Sequence, residues 1–264
     1  MLHPTVRLVA VAILLLQLSG GCAPVATPPA PPSVPLAPQA EKRWTYKLVP
    51  ASQWQSPERE EEMDATIPAF DPRLETSSAA QITATFRGQD RRRAKTSIAT
   101  ASTEAFSSLG ALIATLPDDD AMRDRQPRIR KTSNRVGEER RNVRLPLWIY
   151  AIKYETDQDW HVIAGTNPAQ TGRTYFNCEI SGLPGSSAAS YDTLLGVRQQ
   201  LDDILDHDLP GQSSYHEYED PIPVTIEGSL FFDIDHASGA VGPAGMRPDS
   251  SWEIHPITDL DPRP

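Results

Sequence analysis

The stretch VRLPLWIYAIKYETDQDWHVIAGT, residues 143–166, decides how the chain folds. Its first half alternates with a period of two. Leu147, Ile149 and Ala151 point one way, and Trp148, Tyr150 and Ile152 point the other. Apolar side chains on both sides imply a strand that is covered on both faces. Asp157, Asp159 and His161 interrupt it, and WHVIAGT (160–166) then reads as a second strand, ended by the turn NPAQTGR.

Further strands follow. TYFNCEISGLP (174–184) is the third, closed by Gly-Leu-Pro-Gly. SYDTLLGVRQQLDDILD (190–206) changes period and reads as a helix, with Leu194, Val197, Leu201, Ile204 and Leu205 as its apolar stripe and Ser190 or Asp192 as N-cap. His207 sits at the end of this helix, where the dipole favours it. PVTIEGSLFFDID (223–235) and SSWEIHPIT (250–258) are the fourth and fifth strands. Gly228 inside a strand signals a bend or bulge. Between helix and fourth strand, SYHEYED (214–220), with His216, reads as a solvated loop. Three strands, a helix and two strands make residues 136–264 a mainly β domain. The expected architecture is a small OB-like five-stranded barrel with one inserted helix, and a mixed open sheet is the alternative.

The chain before this domain differs in composition. LVAVAILLLQL (8–18) is too short to span a bilayer and fits the core of a signal peptide over residues 1–21. It runs into SGGC, which resembles a bacterial lipobox, although Leu18 lies one place further from the cysteine than in the usual pattern. Cys22 is then the expected lipidation site, and several acyl chains on one residue make a stable anchor. Residues 22–42 hold that cysteine and a Pro/Ala-rich linker, a semi-rigid spacer with a reach of about 60 Å. With Cys22 acylated, Cys178 has no intrachain partner and is best placed as a small buried hydrophobe.

Residues 43–135 read as a largely flexible basic region, with one short helix expected over 101–116. The net charge of −10 conceals an asymmetry: fourteen of the 25 Lys and Arg residues lie between 87 and 144, whereas 145–264 carries five basic and nineteen acidic residues. With few aromatics and no recognition motif in the basic region, nucleic acid is not an expected partner. The membrane, reached through the lipid, and an envelope protein are.

Four short motifs carry polar groups: DQDWH, NCE, FFDIDH and WEIHP. Residues two apart on a strand share a face, which pairs Asp159 with His161 and Glu253 with His255, each opposite tryptophan. Asp233 and Asp235 pair likewise, with His236 just beyond. Imidazoles and carboxylates are zinc-type ligands, and a carboxylate beside an imidazole fixes its tautomer. A divalent metal is therefore the cofactor these residues could take, through His161, His236, Glu253 and His255. Asp159, His161, Glu253 and His255 are the candidate acid–base groups. The competing reading is a structural polar network at a rim, because no established catalytic motif is present.

Residues 136–260 resemble a family of bacterial secreted and envelope proteins of no established activity. The resemblance rests on KYETDQDWHVIAG, NCEISGLP, GVRQQLDDIL, VTIEGSLFFDIDH and WEIHPITDL. It implies a shared domain and marks Lys153, Glu155, Asp157, Asp159, His161, Asp233, His236, Glu253 and His255 as its characteristic polar positions. The loop after FFDIDH departs from the pattern. The expected protein is a bacterial envelope lipoprotein, at an outer membrane and facing the periplasm, whose β domain binds a ligand or partner without catalysis. The alternative is a metal-dependent hydrolase, with phosphodiesters as the candidate substrates, that uses the His/carboxylate rim.

Overall fold

In the computed structural model, residues 43–50, 53, 63–67, 77–236 and 241–264 are described. The expected signal peptide, the expected lipidation site Cys22 and the expected linker lie outside them. Residues 41–264 form one compact unit. Among the described residues, no helix is long and apolar enough to cross a membrane.

The protein is mainly β. Its strands are β1 (Tyr46–Pro50), β2 (Thr103–Ala105), β3 (Asn142–Tyr154), β4 (Trp160–Gly165), β5 (Tyr175–Ile180), β6 (Ser214–Phe232) and β7 (Trp252–Pro262). The helices are α1 (Ser78–Ile82), α2 (Arg92–Lys95), α3 (Leu109–Ile113), α4 (Asp119–Asp124) and α5 (Tyr191–Ile204). The strands form a seven-stranded mixed sheet ordered β1-β6-β7-β5-β4-β3-β2, and β6 also pairs with β3. The five expected strands are β3 to β7. The expectation missed β1, antiparallel to β6, and β2, parallel to β3. Both are short and partly exposed, so neither carries a run of alternation that sequence could show.

Alternation sorts the side chains into two faces. Trp160, Val162 and Ala164 of β4, Phe176, Cys178 and Ile180 of β5, and Trp252 and Ile254 of β7 enter the main core, together with the α5 stripe Val197, Leu201, Ile204 and Leu205. Cys178 is a buried free thiol there. On β3 the simple alternation fails. A bulge between Ile149 and Ala151 shifts the register, so Leu147, Ile149 and Ile152 share the main core while Ala151 joins a second cluster with Ile163 and Tyr215. Gly228 marks a second irregularity, as its sequence suggested. The β6–β7 register shifts on both sides of it, and a Cβ there would lie 2.5 Å from the Pro256 carbonyl oxygen.

SYHEYED is strand rather than loop. It begins β6, held between β1 and the end of β3, and His216 is buried and stacked on Tyr46 at 3.9 Å. Pro221 and Pro223, ordinarily strand breakers, lie inside the same strand. The helix expected over 101–116 is divided between β2 and α3.

The described part of 43–135 is folded against the sheet rather than flexible. Residues 84–99 cross the strands. Phe86 N–H donates to Leu183 O, Arg87 N–H to Asp157 O, and Ala99 N–H to the Ser229 hydroxyl. Gly182 permits the close approach, since a Cβ there would stand 2.7 Å from Phe86 Cα. The arginines hold this irregular backbone in place. Arg91 pairs with the fully buried Glu139 at 2.6 Å, and Arg135 donates to the carbonyls of Leu230, Ala94, Ser97 and His255. A guanidinium offers five donors, enough to satisfy carbonyls that no ladder reaches. That arrangement has no sequence period.

Candidate metal centre

The face of β4, β5 and β7 opposite the main core is polar and nevertheless buried. His161 lies on β4, Asn177 and Glu179 on β5, Glu253 and His255 on β7. All five are at most 5% exposed. Pairing aligns them: His161 stands opposite Glu179, and Asn177 opposite Glu253. Asp159 enters from the turn before β4. There Gln158 takes a left-handed φ of 80°, and its side chain is held by the Tyr154 hydroxyl at 2.7 Å. Asp233 and His236 come from the turn after β6. Asp233 Oδ1 accepts the N–H groups of Asp235 and His236, which leaves Oδ2 for the imidazole.

The contacts are short. His255 Nδ1 lies 2.7 Å from Glu179 Oε2 and 3.7 Å from Glu253 Oε2, and its Nε2 lies 3.3 Å from Asp159 Oδ2. His161 Nε2 is 3.0 Å from Glu179 Oε1, and its Nδ1 is 3.3 Å from Glu155 Oε1, which pairs with Lys153 at 2.6 Å. His236 Nδ1 is 3.1 Å from Asp233 Oδ2 and 3.7 Å from Glu253 Oε1. Asn177 Nδ2 donates at 2.9 Å to both Glu179 Oε1 and Glu253 Oε1.

Short distance here does not mean a hydrogen bond. Both ring nitrogens of the wholly buried His255, and the facing Asp159 Oδ2, Glu179 Oε2 and Glu253 Oε2, make no aligned hydrogen bond among the described residues. Buried polar atoms are ordinarily satisfied, and leaving one unsatisfied costs about 1–3 kcal/mol. Ligand atoms around one ion at zinc-type bond lengths stand roughly 3.0–3.4 Å apart. Around His255 the closest spacings are 2.7 Å at Nδ1, just below that range, and 3.3 Å at Nε2, within it; an ion would take one of these nitrogens.

The electrostatics fit either a proton or a metal. Burial pushes the Asp159 carboxyl up, partly offset by His255. Burial acts upward on Glu179 too, but His161 and His255 outweigh it and hold that carboxyl well below its usual range. Burial pushes His255 and His236 down, yet Glu179 and Asp159 around the first, and Asp233 and Glu253 around the second, raise both well above an ordinary imidazole. Asp233 is held well below the carboxylate range: His236 and Lys95 overcome its burial. The pocket concentrates negative charge that needs cations, either protons on imidazoles or a metal.

All the candidate residues therefore converge, in a different grouping from the expected set of imidazoles. One trio is Asp159, Glu179 and His255, wholly buried. The other is Asp233, His236 and Glu253, with His236 only partly buried; within each trio the ligand atoms lie within 4.8 Å of one another. His161 lies beside Glu179, with its ring centroid 5.9 Å from that of His236. Glu179 was not among the candidates, although NCE stood out. Its signal is that it shares a strand face with Asn177, two residues away. Lys95 was missed because only the chain crossing brings α2 to the site. A third group, Asp202, Asp203 and His207, is an ion pair at the end of α5, with His207 Nδ1 2.7 Å from Asp202 Oδ2. Comparison of the chain with protein-family models, curated proteins and solved structures gives no match.

Proposed function

We propose that this protein is a lipid-anchored envelope protein whose β domain binds a divalent transition-metal ion through Asp159, Glu179 and His255. The observation that carries the reading is His255. This fully buried imidazole has carboxylates against both nitrogens and an aligned hydrogen bond at neither, so an ion in place of a proton can take one nitrogen and the carboxylates beside it. One imidazole with two carboxylates suits zinc, manganese or iron. Asn177, donating to Glu179, is the kind of outer partner that orients a ligand carboxylate.

The domain is an OB-like barrel on this reading. Successive pairings run β3-β4-β5-β7-β6 and return to β3, β5 and β7 are parallel, and α5 lies between β5 and β6. Two edge strands are added to it. The lipobox-like SGGC and the Pro/Ala linker support a membrane anchor at Cys22 with the domain held off the surface on a stalk, in the periplasm of a cell with two membranes.

A hydrolytic use is the second reading, favoured by His236, whose side chain is 15% exposed at the edge of the site. An ion held there could meet water and activate it.

The test is elemental analysis of the full chain purified in detergent and dialysed exhaustively. Bound transition metal is expected in the wild type. Glu179→Gln keeps the shape and removes the ligand charge, so it should weaken ion binding at least about tenfold with circular dichroism unchanged. A folded wild type that neither retains metal nor rebinds zinc or manganese overturns the proposal.

A further inference from the structure

The two trios are not separate. Glu253 faces both: Oε2 lies 3.7 Å from His255 Nδ1 of the inner group, and Oε1 lies 3.7 Å from His236 Nδ1 of the outer group. It is 1% exposed, and Oε2 makes no hydrogen bond among the described residues. Its other oxygen accepts from Asn177 Nδ2, the same amide that holds Glu179. One amide thus sets the spacing of two carboxylates that share His255 and diverge toward His161 and His236. His236 Nδ1 also makes no aligned hydrogen bond, although it stands 3.1 Å from Asp233 Oδ2.

We infer that Asp233, His236 and Glu253 hold a second divalent transition-metal ion, with Glu253 as the carboxylate bridging it to the first. This rests on the reading of Asp159, Glu179 and His255 as a metal site and extends it to a two-ion centre. The two sites differ in access. The inner ligands are all buried, whereas the outer trio includes the partly exposed His236. Three protein ligands and an edge open to water describe a site that keeps a position for an exchangeable ligand. A carboxylate-bridged pair sits about 3.5–4 Å apart, close enough for the two metals to interact magnetically and to clamp one oxygen ligand between them.

The experiment is a titration of chelator-stripped full chain in detergent with Mn²⁺, counting bound ions and recording the electron paramagnetic resonance spectrum. The wild type should bind two ions and show an exchange-coupled pair. His236→Ala changes a residue at the edge of the site. It should bind one ion with the inner affinity retained and no coupling, and His236→Asp should restore the second ion. A wild type that binds a single ion, unchanged in His236→Ala, overturns the second site and leaves the first standing. Two ions still bound by His236→Ala would also overturn it, because the second ion would then lie elsewhere. A wild type that binds none removes both.

Discussion

His255 presents two nitrogens to carboxylates on both sides, and the charge of those carboxylates can be balanced by a proton on the ring or by a metal. The two cases have opposite pH signatures. Without metal, its folded-state pKa is raised, chiefly because Glu179 and Asp159 outweigh burial. The stability this contributes is fully present below the unfolded value of about 6.5 and is lost as pH rises through the raised folded value. An ion needs the neutral imidazole, so it displaces the proton. Affinity should then rise about tenfold per pH unit for each proton released. Mn²⁺ added to weakly buffered protein at pH 7 is expected to release protons, and binding at pH 8 should be tighter than at pH 6. No proton release, with stability falling steadily above neutral pH, would leave only an imidazolium–carboxylate network. Most of this site could be read from sequence, because the pairs Asp159/His161 and Glu253/His255 follow from the pleat alone. Glu179 obeys the same parity, but NCE has no histidine to announce it. Its importance depends on the neighbours that strand order supplies.

At the level of elements, β3, β4, β5 and α5 were legible because each carries enough residues for its period to show. The limits of β6 were not, since Pro221 and Pro223 imitate a boundary in a strand that is held from both sides. The crossing at 84–99 was the least legible element. It is held by cations on carbonyls, and Arg135 shows how. Its guanidinium, which burial pushes down to about 10, ties Ala94 and Ser97 of the crossing to Leu230 of β6 and His255 of β7. Arg135→Met would retain the apolar stem and leave four carbonyls, three of them buried, without that donor. The expected loss is roughly 3–5 kcal/mol, read as a lower denaturation midpoint. Ion affinity should fall with it, because Arg135 holds the carbonyl of the ligand residue itself. Unchanged stability would mean that the crossing is held by apolar contacts, such as the buried Phe86.

At the scale of the whole molecule, the basic and acidic halves of the sequence belong to one unit. Arg91, Arg123 and Arg135 all donate to β6 or the turn after it. Their charge is used within the fold. The anchor is a separate question, because every proposed ligand lies within residues 41–264. Cys22→Ser removes the only sulfur in the SGGC segment. If Cys22 is acylated, the variant should lose labelling by radioactive palmitate and leave the detergent-extracted membrane fraction, since acyl chains supply about 0.8 kcal/mol per buried methylene. Its metal content per chain should equal that of the wild type. A variant that stays membrane-bound would place the anchor in the apolar segment 8–18 instead. Loss of metal along with the lipid would mean that the centre depends on the membrane surface, and the two-ion site would then have to be sought in the anchored protein.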